Sequence, residues 1–262
     1  KLTMALVHII AVNIDVTIPI ESVIAKPLTG PVPITYKINA AIKVVTLASK
    51  IVTKGLVYHI DIINPLCYHI DKCYSTAHKA VGIIQNNIEH STEGKGSLNF
   101  NGTDHYIDVS ENLQFTLEQS IDVWVKPKGT GHDYQRIIDK SNGNNALNGY
   151  SLIYHHALNM VYYVVNNGTS KDMIGYKLPS TNTWINIIVT KKDTKYNMYL
   201  NGVLVQQNTG KVNFSSENPS MRIGAYTQSQ ERNFKGKINN IKIYNRALTP
   251  KEVSLNYEAL KG

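Results

Sequence analysis

Cysteine, tryptophan and phenylalanine are scarce in this chain of 262 residues, which holds two, two and four of them. Cys67 and Cys73 alone cannot build a structural zinc site, which needs four ligands. They are either a short-loop disulfide, given an oxidising compartment, or two free thiols. Charged residues are few at 18% while apolar content is ordinary, a balance that excludes a disordered chain. No apolar run approaches the ~20 residues of a membrane-spanning helix. Residues 5–12 are apolar, but His8 interrupts them and Lys1 is a thin basic lead-in, a poor signal peptide. Long heptads and leucine-rich amphipathic stretches are missing. So are a glycine-rich phosphate loop, a nucleophile elbow and a Cys–His arrangement.

What is present points to strands. Asn, Ile, Tyr, Val and Thr are plentiful, residues of sheets and turns. The net charge is +8, but the lysines are scattered, with no more than two adjacent (Lys191, Lys192), and no nucleic-acid motif accompanies them. Residues 1–54 have a texture of their own. Val12, Ile14, Val16, Ile18 and Ile20 alternate with polar residues, and after the irregular Lys26–Pro33 stretch a second run places Ile34, Tyr36, Ile38, Ala40, Ile42 and Val44 on one face. Two long strands alone are marginal in water, so this N-terminal β-arm is expected to pack on another copy or another protein by strand addition. Residues 55–262 read as one all-β domain. Strands are expected at 97–101, 105–109, 115–127, 135–139, 150–155, 159–166, 184–191, 196–200, 203–207, 220–225 and 234–244, and a closing helix over Pro250–Leu260. Five Asn-Gly dipeptides, at 101, 142, 148, 167 and 201, supply the positive φ of hairpin turns.

An ordered series of short motifs carries a family resemblance. Gly55-Leu56-Val57-Tyr58-His59-Ile60-Asp61, Gly96–Ile107, Phe115-Thr116-Leu117 through Val123-Trp124-Val125-Lys126-Pro127, Trp184, Tyr199-Leu200-Asn201-Gly202, Arg222-Ile223-Gly224 and the ending Gly236–Val253 together resemble the concanavalin A-like, laminin-G-like jelly-roll domains of phage and bacterial surface proteins. The resemblance covers about residues 55–262 and implies a β-sandwich. Relatives often carry acids where this chain has Asn101, Asn239 and Asn240. Calcium prefers charged oxygen ligands, so no cofactor is expected, and Asp104 and Asp139 remain as the candidates for a metal.

Glycosidases of the same superfamily need two carboxylates across a cleft. The nearest run, Ser120-Ile121-Asp122-Val123-Trp124, lacks both flanking acids, so no enzyme activity is expected. His155 and His156 are adjacent and point to opposite faces of a strand, unlike a metal-binding pair. Sixteen tyrosines against four phenylalanines is the better clue to a ligand, because tyrosine joins an apolar face to a hydroxyl. Tyr150, Tyr154 and Tyr163, with Asp139, His155 and Asn166 as polar partners, form the candidate glycan-binding set; the alternative is that these tyrosines simply cover the sandwich. The resemblance implies a non-enzymatic virion surface protein of a phage, held to other virion proteins or to its own copies through residues 1–54 and presenting a lectin-like domain to host glycan. A secreted or cell-surface bacterial adhesin or carbohydrate-binding module is the alternative, and a glycoside hydrolase a third reading.

Overall fold

In Glu118–Pro127, Ile121, Val123 and Val125 are buried on one side while Asp122 and Trp124 point to the other, and this period of two recurs through most of the domain. The computed structural model describes residues 51–261 apart from 65, 66, 70, 78, 79, 110–112, 114–116, 142–147, 213–219, 228 and 230. The expected N-terminal β-arm lies outside the described residues except for 51–54.

The described strands are β1 (Leu56–Asp61), β2 (Tyr68–His69), β3 (Lys72–Tyr74), β4 (Val81–Gln85), β5 (Glu89–Ser91), β6 (Ser97–Asn101), β7 (Tyr106–Val109), β8 (Glu118–Pro127), β9 (Tyr134–Ser141), β10 (Asn148–His155), β11 (Met160–Asn167), β12 (Lys171–Lys177), β13 (Ile185–Lys192), β14 (Lys195–Leu200), β15 (Val203–Thr209), β16 (Met221–Ile223) and β17 (Lys235–Tyr244), followed by helix α1 (Pro250–Leu260). One sheet runs β15-β14-β13-β8-β17-β6-β5, with β1 also paired to β17; the second runs β12-β11-β10-β9-β16-β7-β4-β3-β2. The two inner faces supply one continuous core, from Val123, Ile187 and Ile241 on the first sheet to Leu152, Val161 and Ile223 on the second. This is the expected all-β sandwich.

Local chemistry explains the joints. Asn201 and Gly202 sit at φ 49° and 78° between β14 and β15, the geometry of a two-residue hairpin. Asn167 Oδ1 accepts from the N–H of Thr169 (3.1 Å) and Ser170 (2.8 Å) to turn β11 into β12. Asn148-Gly149 differs from expectation: it lies inside β10, and a Cβ on Gly149 would stand 1.8 Å from the Lys140 carbonyl, so close approach rather than a turn requires glycine there. The Asn142-Gly143 turn lies outside the described residues.

Helix α1 begins where its cap dictates. Thr249 and Glu252 form a capping box, Pro250 opens the first turn, and Arg246 clamps Glu252 with two bonds of 2.8 and 2.7 Å. The helix lies on the outer face of the first sheet. Val253 joins Ile188, Tyr199, Tyr244 and Leu248 in a second small core there. Residues 52–54, which sequence texture groups with the arm, are fastened to this region: Val52 N–H donates to Asn256 (2.8 Å), Tyr244 Oη donates to the Val52 carbonyl (2.9 Å), and Arg246 donates to the Lys54 carbonyl (2.9 Å).

Candidate functional site

The tyrosines singled out for stacking lie on the wrong side of their strands. Tyr150, Tyr154 and Tyr163 are only 2, 0 and 1% exposed and face the core. Their hydroxyls are spent internally: Tyr163 donates to Gln119 (2.8 Å), Tyr154 to Asn159 (3.1 Å) and Tyr150 to the Met221 sulfur (3.6 Å). Burial raises the Tyr150 and Tyr163 hydroxyls well above their ordinary values. The physical reason is symmetry in the pattern. Val161 and Val165 share a face with Tyr163, but Tyr162 and Val164 make the opposite face nearly as apolar, and alternation alone does not say which is inside.

Asp139 is likewise removed from the candidate set. It is fully buried and accepts from Ser141 (2.9 Å), Ser151, and both the N–H (3.1 Å) and hydroxyl (2.7 Å) of Thr227, with Arg136 Nε 3.3 Å away. Those contacts occupy a carboxylate's acceptor sites. Its role is to pin the loop after β16 across the sheet. Burial pulls the Arg136 guanidinium below its ordinary value, and Asp139 partly restores it. Asn166 organises a turn by accepting from the Gly168 N–H at 2.8 Å.

The amides that replace expected acids act as donors. Asn239 Nδ2 reaches the carbonyls of Gly94 and Gly96, both at 2.6 Å, and Asn240 Nδ2 lies 3.3 Å from His59 Nε2. A carboxylate at 239 could not donate to two carbonyls. Asn101 donates to Asp104 at 2.7 Å and accepts from three following N–H groups. Among the described residues, no cluster of three or more His, Cys, Asp and Glu is placed to hold a metal ion. Cys67 and Cys73 are buried free thiols rather than a disulfide; burial, then its neighbour Cys67, pushes the Cys73 thiol up to about 12.

The outward face of the same three strands assembles a different set. His155 of β10 stands opposite Tyr134 of β9, their rings 4.5 Å apart and near edge-on, and Tyr162 of β11 follows 6.5 Å from His155. Tyr134 is 47% exposed and Leu158, in the next turn, 52%, while His155 between them is buried at 7% and its Nδ1 lies 3.4 Å from the Leu158 N–H. Met160 lies beside Tyr162, whose hydroxyl is 3.0 Å from its sulfur. Polar groups line the rim, where Asp133 meets His156 at 3.1 Å and His156 approaches the His132 carbonyl at 3.2 Å. Farther along this sheet face, Arg222 covers the ring of Tyr106 and pairs with Asp108, while Arg136 and Arg232 flank Tyr226. Of the sequence candidates, His155 alone belongs to this aromatic shelf. Tyr134, one residue before the strand expected at 135–139, and Tyr162 were outside the candidate set. A shelf of tilted rings with a hydrogen-bonding rim can hold the C–H face of a sugar and its hydroxyls together.

The acid nearest to a glycosidase pattern, Asp122, is sealed beneath α1. It is fully buried, 3.3 Å from Lys242, and accepts from Asn186 (2.7 Å) and Asn256 (2.9 Å).

Residues 101–254 match the profile of the concanavalin A-like lectin/glucanases superfamily, in its laminin-G form. The chain belongs to this family. Comparison with curated proteins finds no match. Among solved structures, this concanavalin A-like chain is similar to the binding domain of botulinum neurotoxin DC in complex with SialylT, with TM-score 0.64 and 15% identity over 80% of this chain and 52% of that one. A botulinum neurotoxin type C structure, whose cell entry is described as dependent upon two ganglioside molecules, gives TM-score 0.62 and 15% identity over 80% and 52%. Domain 4 of AbnA, an extracellular arabinanase from Geobacillus stearothermophilus, in complex with arabinotriose, gives 0.62 and 20% over 76% and 97%. The chain spans about half the length of the toxin structures and nearly all of the arabinanase domain. At these identities the likeness concerns the fold.

Proposed function

We propose that the sandwich is a non-enzymatic carbohydrate-binding domain of a secreted or cell-surface protein, an adhesin or carbohydrate-binding module. The observation that carries this reading is the shelf of Tyr134, His155 and Tyr162 on the outward face of the second sheet. The fold comparison supports it, since the similar arabinanase domain holds arabinotriose and the toxin domain a sialylated ligand. The similar structures are toxin binding domains and a domain of an extracellular enzyme, so they favour this reading over a phage surface protein held by residues 1–54.

The test is retention of the full chain on a glycan array, followed by calorimetry with the best ligand. Tyr134→Ala and Tyr162→Ala should each weaken binding about tenfold, or about 1.4 kcal/mol, with unchanged melting. Tyr163→Ala should instead unfold the protein's core, at a cost of about 3–5 kcal/mol. Absence of any retained glycan, or binding indifferent to Tyr134 and Tyr162, would overturn the proposal.

A further inference from the structure

Most of the positive charge on this chain is lysine, and only four residues are arginine: Arg136, Arg222, Arg232 and Arg246. Arg246 clamps Glu252 at the start of α1. The other three, far apart in sequence, converge on the outward face of the second sheet, and each lies against a tyrosine ring. Arg222 Cζ is 4.5 Å from the centre of the Tyr106 ring, and the Cζ atoms of Arg136 and Arg232 are 5.0 and 5.2 Å from that of Tyr226. A guanidinium resting on an aromatic ring is pre-organised, and its planar fork matches the oxygens of an acidic group as a lysine ammonium does not.

Two of these three arginines already have an acid. Arg222 Nε donates to Asp108 at 2.8 Å and its Nη1 to the Tyr226 carbonyl at 3.1 Å. Arg136 Nε lies 3.3 Å from Asp139, its Nη1 donates to the Tyr134 carbonyl at 3.1 Å, and the residue is 3% exposed. Arg232 is half-buried, and among the described residues no carboxylate pairs with it. The charge that shares its tyrosine is Arg136, and the two repel. The Arg136 guanidinium is drawn below its ordinary value chiefly by burial and further by Arg232, with Asp139 opposing both. Arg232 is not a loose surface residue either. Its carbonyl accepts from the Arg136 N–H at 2.9 Å, and Asn233 beside it bridges to Arg136. The fold thus holds one guanidinium without an acid beside another, an unfavourable arrangement that a bound anion relieves.

We infer that the glycan of this domain carries a carboxylate or sulfate group, which Arg232 binds while the Tyr134 shelf holds the sugar ring. This inference rests on the carbohydrate-binding reading above and names the class of sugar. Placement supports one ligand for both contacts. Tyr134 and Arg136 share a face of β9 two residues apart, or about 7 Å, and the Arg232 backbone is bonded to Arg136. An acidic group on the sugar at the shelf, or on the next unit, is therefore within an arginine's reach. Arg136, nearly sealed, positions Tyr226 and leaves Arg232 as the member of the pair able to touch a ligand. Asp133, the acid on the shelf rim, is engaged by His156 at 3.1 Å. A neutral glycan would leave Arg232 without a counter-charge.

Calorimetry on the full chain with matched pairs tests this: sialyllactose against lactose, trigalacturonate against its methyl ester, and sulfated carrageenan oligomers against agarose oligomers. At least one acidic member should bind about tenfold or more tightly than its neutral counterpart, and the pair that shows the gap tells carboxylate from sulfate. Arg232→Gln should erase that gap while keeping circular dichroism and melting. Lys251→Gln, an equal loss of charge at an exposed position of α1, should leave the gap intact. That control separates a local site from general attraction to a chain of net charge +8. Equal affinity within every pair overturns the inference. So does a gap that Arg232→Gln leaves in place, or one that Lys251→Gln removes equally. If neutral members bind as well as acidic ones and Tyr134→Ala weakens both, this inference falls and the carbohydrate-binding reading stands; if no glycan is retained at all, both fall.

Discussion

At the scale of single residues, His59 shows how a polar group becomes part of a core. β1 holds it 6% exposed, with Nδ1 2.6 Å from the Thr76 hydroxyl and Nε2 facing Asn240. Burial, then the nearby Lys242 ammonium, lowers its pKa to about 3, against a smaller upward pull from the Asn240 hydrogen bond. The linkage has a definite sign. The unfolded chain binds a proton at His59 below about pH 6.5, whereas the folded chain refuses it until about pH 3. Stability should therefore fall as pH drops from about 6.5 toward 3 and be fully present above that window. Chemical denaturation across this range should show the slope, and His59→Gln, which keeps hydrogen-bonding capacity without a titrating ring, should remove most of it. An identical slope in the variant would assign the effect elsewhere.

At the scale of elements, α1 was legible from sequence to the residue, because Thr249, Pro250 and Glu252 are the chemical signals that start a helix. Most strands of the sandwich were legible for a similar reason, since β13 carries the β-branched run Ile187-Ile188-Val189-Thr190 and β17 spaces Ile238, Ile241 and Ile243 among polar residues. β12 was not legible. It buries little beyond Ile174, has Gly175 at its centre and sits at a sheet edge, so its alternation is faint. The site failed at a different level. Period two separates the faces of β11, but the candidate set joined Tyr154 and His155 of β10, neighbours that point to opposite faces, and which face looks inward is decided by the opposing sheet, which local sequence does not contain. What holds α1 down was also invisible: Asp122, Lys242, Asn186 and Asn256 come from four separate elements. Removing one member of a buried ion pair strands the other charge, so Lys242→Met should cost about 3–5 kcal/mol. The double variant Asp122→Asn, Lys242→Met should recover at least half of that, because an amide oxygen still accepts from Asn186 or Asn256. Denaturant melts of both variants measure this, and a loss below about 1 kcal/mol in the single variant would contradict the pairing.

At the scale of the molecule, the hydrogen bonds of the sandwich reach farther back along the chain than the change in composition does. Sequence texture shifts at Gly55, yet the sandwich reaches back to Val52, whose N–H and carbonyl bond Asn256 of α1 and Tyr244 of β17. Lys54 adds the carbonyl that Arg246 grips while Arg246 also clamps Glu252. The end of β17, the turn after it and α1, all distant in sequence from residues 52–54, are thus tied to a three-residue segment that looks like linker. A fragment of residues 51–262 should fold cooperatively. One of 55–262 should fold too, but with about 2–6 kcal/mol less stability, from four lost hydrogen bonds at about 0.5–1.5 kcal/mol each, the fourth from the Leu56 N–H to the Thr53 carbonyl, and with α1 as its weakest part. Hydrogen exchange should register the difference first in the amides of α1 and the end of β17, with the amides of β10 and β11 protected equally in both fragments. Equal melting temperatures and equal α1 protection would mean that Val52–Lys54 rests on the sandwich without holding it.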